Sequence, residues 1–176
     1  VAEILLGHGA SGNAASMKPY VDGLRQRGVA AATAPAQGKL PMRAERAMEV
    51  FLALLADSPG AVLGGNSYGG RVASMVAAER GDVPGLVLFS YPLHRPGHPE
   101  ELRVGHWAAI RCPVLVLSGE SDGFARVDLL RQAVAAHDSF ELVTYPGVGH
   151  GVHRSAPALA DALDRTAAFV RRRVQS

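Results

Sequence analysis

The chain has 176 residues, 48% of them hydrophobic, and a formal net charge of +2 from 18 basic and 16 acidic side chains. That length suits one domain, expected over 1–176, and the apolar content favours a compact fold with a well-filled core over disorder. The small charge imbalance and scattered arginines exclude a nucleic-acid partner, and no apolar run nears the roughly 18 residues that a membrane span needs.

The elements alternate along the chain. Ile4-Leu5-Leu6 is a first strand, too short for a helix, and ends in Gly7-His8-Gly9. Pro19 sits where a helix would start; Met17, Val21 and Leu24 recur at helical spacing until Gly28 stops it. Val29 to Thr33 is the second strand, closed by Pro35 and Gln37-Gly38-Lys39, and Pro41 opens a longer helix with Ala44, Met48, Phe51 and Leu55 on one face. Ala61-Val62-Leu63 is a third strand that runs into Gly64-Gly65-Asn66-Ser67, followed by a helix marked by Val72, Met75 and Val76. Gly85 to Phe89 is the fourth strand, leading into a Pro- and His-rich loop from Tyr91 to about Pro99. Pro113 to Leu117 is the fifth, with Val127, Leu130 and Val134 marking its helix. Phe140 to Tyr145 is the sixth, and Leu159, Leu163, Thr166 and Val170 face inward on the last helix, whose final turn carries Arg171-Arg172-Arg173. The strands are continuous apolar runs, the pattern of a mainly parallel sheet of about six strands with helices on both faces: an α/β fold. The one cysteine, Cys112, precedes the fifth strand and reads as a buried structural thiol.

Where the third strand gives way to a helix, Gly65-Asn66-Ser67-Tyr68-Gly69 has the Gly-x-Ser-x-Gly form of a nucleophile elbow. A serine hydroxyl attacks only if a base removes its proton, so an acid and then a histidine should follow at later strand ends. After the fifth strand stand Glu120 and Asp122; Asp122 lies deeper in the turn and is preferred, with Glu120 as the alternative. After the sixth strand stands His150, with His153 as its competitor nearer the last helix. The oxyanion of an acyl-transfer intermediate would be held by the amide of Tyr68 and, from the loop after the first strand, that of Ala10. His8, Ser11, Tyr91 and His94 are the candidate substrate-binding residues.

The segment Gly7-His8-Gly9-Ala10-Ser11-Gly12 also matches a dinucleotide fingerprint. The strand after it ends in Ala34-Pro35 without the acidic residue that would hold a ribose, and the histidines lack metal-ligand spacing. No cofactor and no metal are expected.

The residues His8-Gly9-Ala10, Gly64 to Arg71, Tyr91-Pro92-Leu93-His94, Ile110 to Leu115, Gly119 to Asp122 and His150 together resemble small, capless α/β-hydrolases similar to the dienelactone-hydrolase-like predicted hydrolases. The resemblance spans nearly the whole chain. It implies an α/β-hydrolase fold with a reduced sheet and no cap domain, and a Ser-Asp-His triad matching Ser67, Asp122 and His150. Dienelactone hydrolases proper carry a cysteine where this chain has Ser67. The expected substrate is a small acyl ester or thioester, with an inactive binding or scaffold protein as the alternative. A cytoplasmic location is expected from the absence of a visible leader, and the sequence carries no signal for oligomeric state.

Overall fold

The computed structural model describes residues 1–34 and 43–174. Six strands, β1 (Ile4–Gly7), β2 (Ala31–Thr33), β3 (Val62–Asn66), β4 (Leu86–Phe89), β5 (Val114–Gly119) and β6 (Phe140–Tyr145), form one sheet in the order β2-β1-β3-β4-β5-β6. All five pairings are parallel. The helices between them are α1 (Lys18–Arg25), α2 (Ala44–Asp57), α3 (Tyr68–Glu79), α4 (Val127–Ala135) and α5 (Ala156–Val174).

Both faces of the sheet are covered, which is why its strands read as unbroken apolar runs. Leu5, Leu63, Leu86, Leu88 and Val116 point to one face and pack with Phe51 and Leu55 of α2, Val72 and Val76 of α3, and Leu130 of α4. Ile4, Leu6, Val62, Val87, Phe89, Leu115 and Leu117 point to the other, against Tyr20 and Leu24 of α1 and Leu163, Phe169 and Val170 of α5. Along the inner strands the alternation therefore separates two cores rather than a wet and a dry side; on the edge strand β6, Glu141 is exposed.

Local signals set the element ends. The turn before α1 is capped by Asn13, whose side chain accepts from the Ser16 amide. Gly28, at φ 77°, ends the α1 turn, and β2 begins at Ala31 rather than at the expected Val29, because the Val29 amide still bonds back to Leu24. The expected roles of Pro35, Gln37 to Lys39 and Pro41 fall outside the described residues. The expected core thiol is buried: Cys112 lies just before β5, and burial pushes its pKa up to about 11.

The strand order fixes where a ligand can sit. From β1 the chain crosses one face through α1 to β2; from β3 it crosses the other through α3 to β4. The crevice at the carboxyl ends of β1 and β3 is thus the switch point of the sheet. Its walls are the loop from Gly7 and the turn at Ser67.

Candidate active site

β3 delivers Ser67 to the sheet's carboxyl edge, with its amide donating to the Phe89 carbonyl of β4 at 2.8 Å. Ser67 has φ 53° and ψ −121°, a conformation that costs a non-glycine residue of order 1–3 kcal/mol. The surroundings that hold it there are close-packed backbone. An added Cβ on Gly65 would stand 2.4 Å from the Gly69 carbonyl carbon, and one on Gly69 would stand 2.2 Å from Gly7. The two glycines of the Gly-x-Ser-x-Gly pattern are what let α3 approach β1 and β3 this closely.

Asp122 follows β5, and its carboxylate has no exposed surface. Oδ1 accepts from the Phe124 amide at 2.7 Å, and Oδ2 accepts from Nδ1 of His150 at 2.8 Å. A carboxylate only accepts, so Nδ1 carries the imidazole proton and Nε2 is left as the acceptor. Nε2 lies 2.9 Å from Ser67 Oγ. The imidazole is also covered by the Phe124 ring, 4.3 Å away between centroids. Ser67, His150 and Asp122 therefore form one chain of contacts, drawn from the ends of β3, β6 and β5.

The two competitors are engaged elsewhere. Glu120 Oε1 accepts from Thr144 Oγ1 at 2.8 Å and from the Arg131 guanidinium at 3.2 Å. His153 Nδ1 stands 3.0 Å from Tyr20 Oη, which also lies 3.2 Å from Asn66 Oδ1. Burial, then the charges of Arg154 and His150, hold the His153 imidazole below its ordinary range.

The loop after β1 borders the serine. An added Cβ at Gly9 would lie 3.8 Å from Ser67 Cβ. His8 Nδ1 donates to the Gly9 carbonyl at 2.8 Å, and the Gly12 amide donates to the same oxygen at 3.0 Å, closing the turn that carries Ala10 and Ser11 at the surface. The glycine-rich segment that matched a dinucleotide fingerprint is thus folded against Ser67, with Gly7 packed on Phe51 and Gly69.

Two expected substrate-binding residues are corrected by the structure. Tyr91 is fully buried, its ring packs edge-on to Trp107, and its hydroxyl donates to the Arg103 carbonyl at 2.6 Å. His94 is 2% exposed; its Nδ1 donates to the Arg95 carbonyl and its Nε2 accepts from the Arg126 amide at 3.1 Å. Neither side chain offers a surface to a ligand; both fasten the loop after β4 to its neighbours. A tyrosine and a histidine in a Pro-rich loop have no periodicity to reveal which way they point, so their burial was invisible in one dimension.

The same loop supplies a residue that sequence reasoning missed. Ser90, buried and at φ 51°, accepts the Val152 amide on its Oγ at 3.1 Å. It clamps the segment two residues beyond His150. Among the described residues one trio, His98, Glu100 and Glu101, brings potential metal-ligand atoms together; all three are exposed, and Glu101 is already paired with Arg95.

The profile of the family described as "Alpha/beta hydrolase domain" matches residues 1–174. The chain belongs to that family. This α/β-hydrolase is also similar in fold to solved structures. A monoacylglycerol lipase from Paleococcus ferrophilus has a TM-score of 0.78 at 14% identity, covering 95% of this chain and 93% of that one. The esterase domain of a Rhodothermus marinus protein has a TM-score of 0.76 at 19% identity, covering 97% and 87%. A pyrethroid hydrolase from Sphingobium faniae JZ-2 has a TM-score of 0.74 at 18% identity, covering 99% of each chain. At these identities the likeness is one of fold. No helix among the described residues is long and apolar enough to cross a membrane.

Proposed function

We propose that this α/β-hydrolase is a serine hydrolase that cleaves a small acyl ester or thioester through an acyl-enzyme on Ser67. The observation that carries the reading is the unbroken series Ser67 Oγ, His150 Nε2, His150 Nδ1, Asp122 Oδ2, with contacts of 2.9 and 2.8 Å.

Ser67 Oγ attacks the scissile carbonyl while its proton passes to His150 Nε2. The imidazolium that forms is stabilised by the enclosed Asp122 carboxylate, which also fixes the ring's orientation. The amides of Tyr68, at the start of α3, and of Ala10, on the Gly9 turn, hold the developing oxyanion. Collapse of the intermediate expels the alcohol or thiol, which takes the proton from His150. Water, activated by the same imidazole, then releases the acid and restores Ser67. Kinship with the dienelactone hydrolases belongs to this proposal, with serine in place of their cysteine.

Hydrolysis of p-nitrophenyl acetate and butyrate tests it. Ser67→Ala and His150→Ala are each expected to lower kcat by about 10⁴-fold or more. Turnover by Ser67→Ala equal to that of the unaltered protein would overturn the reading and favour a binding or scaffold role.

A further inference from the structure

In the sheet, β4 lies between β3, which ends at Ser67, and β5, which leads to Asp122. Residues 89–94, at and just past the end of β4, bond to the segments that carry Ser67, Asp122 and His150. The Phe89 carbonyl accepts the Ser67 amide at 2.8 Å. Ser90 Oγ accepts the amide of Val152, two residues beyond His150, at 3.1 Å. His94 holds the loop after Asp122 twice: its own amide donates to the Phe124 carbonyl at 3.0 Å, and its Nε2 accepts the Arg126 amide at 3.1 Å.

Ser90, His94 and Val152 are all buried, where water does not replace a lost acceptor. The Arg95 carbonyl takes the His94 Nδ1 proton at 2.8 Å, which leaves Nε2 bare, as the Arg126 amide requires. Ser90 is held at φ 51°, a region unfavourable to any side chain, with its amide donating to the Leu117 carbonyl at 2.8 Å. Glycine would suit that backbone better but has no hydroxyl for Val152. Phe124 passes the hold on: its amide donates to Asp122 Oδ1 at 2.7 Å, and its ring lies 4.3 Å from the His150 imidazole. Fixing residues 124 and 126 therefore fixes both the carboxylate and one face of the ring that it orients.

We propose that residues 89–94 are a brace that sets the position of Asp122 and His150 relative to Ser67, with Ser90 and His94 as its positioning residues. They act through Val152 and Phe124 rather than on the substrate. The expected effect on turnover rests on the serine-hydrolase reading; the placement of the His150 ring does not.

Two measurements test it. In steady-state hydrolysis of p-nitrophenyl acetate, His94→Leu and Ser90→Ala are each expected to lower kcat by about 10- to 100-fold with KM within about twofold, the scale of loss for a displacement of about 1 Å. His94→Gln, whose side-chain carbonyl accepts an amide proton as Nε2 does, is expected to recover most of the activity. A fall in His94→Gln as deep as in His94→Leu overturns the positioning role. The second measurement needs no turnover: the His150 ring C–H resonances, assigned by their loss in His150→Ala, are recorded by NMR in each folded variant. With the Phe124 ring beside them, they are expected to move in His94→Leu and Ser90→Ala and to stay in place in His94→Gln. Unmoved resonances in His94→Leu overturn the brace; should that variant not fold, unmoved resonances in Ser90→Ala overturn it. Resonances that move as expected, in a protein whose unaltered form cleaves no ester, leave the brace standing and overturn the hydrolase reading.

Discussion

The hydroxyl of Tyr20 bridges His153 and the elbow, 3.0 Å from His153 Nδ1 and 3.2 Å from Asn66 Oδ1. It has one proton to give; with the Asn66 oxygen taking it, His153 must carry its own proton on Nδ1. One buried side chain of α1 thus joins the residue before Ser67 to the third residue after His150. Tyr20→Phe removes the bridge and leaves two polar groups without that partner. A loss of about 1–3 kcal/mol in urea unfolding is expected, with kcat lowered more than KM is raised. Unchanged stability would contradict the bridge.

Stability should also respond to pH through two imidazoles. His153 and His106 are both held below their ordinary range, chiefly by burial. A depressed histidine disfavours its protonated form in the folded state. Its contribution is therefore complete above the unfolded value, about pH 6.5, and is lost as pH falls through the lower folded value. The carboxyls of Asp82, Asp128, Glu100 and Asp161 are also held below their ordinary range, and their contributions are lost from about pH 5 downward. Urea midpoints measured from pH 7 to pH 5 should fall, and the decline should flatten in His153→Gln and His106→Gln. An identical slope in both variants would mean that neither imidazole drives the decline.

The close approach of α3 to β3 makes Gly65 intolerant of any side chain, because the obstructing atoms are backbone. Gly65→Ala should cost about 3 kcal/mol, the upper end of overpacking penalties, or prevent folding. Gly81, with nothing within 4 Å of an added Cβ, is the control. Gly81→Ala should stay within about 0.5 kcal/mol of the parent in the same urea titration.

The order serine, acid, histidine after β3, β5 and β6 was legible in the sequence because each residue follows the end of a strand-like run. The continuous runs likewise declared a sheet covered on both faces. What was not legible depends on side-chain direction in loops. Tyr91 and His94 looked like site residues and are core fasteners, whereas Ser90, at the end of β4, carries no motif and yet holds Val152 in place.

Cys112 offers a check on the core that is independent of the site. Burial raises its thiol to about 11, so little thiolate exists at neutral pH. Iodoacetamide at pH 8 should leave the native protein unmodified over a period in which the urea-unfolded chain reacts fully. Equal rates, followed by intact mass, would mean that the Cys112 side of β5 is open.

In the proposed mechanism, the contact between Ser67 and His150 makes one serine nucleophilic. The most direct measurement of this is peptide mapping after treatment with a fluorophosphonate. The expected result is a single adduct per chain, located on Ser67, abolished in Ser67→Ala and strongly slowed in His150→Ala. A folded protein that takes up no probe, or that is labelled equally in Ser67→Ala, would contradict it.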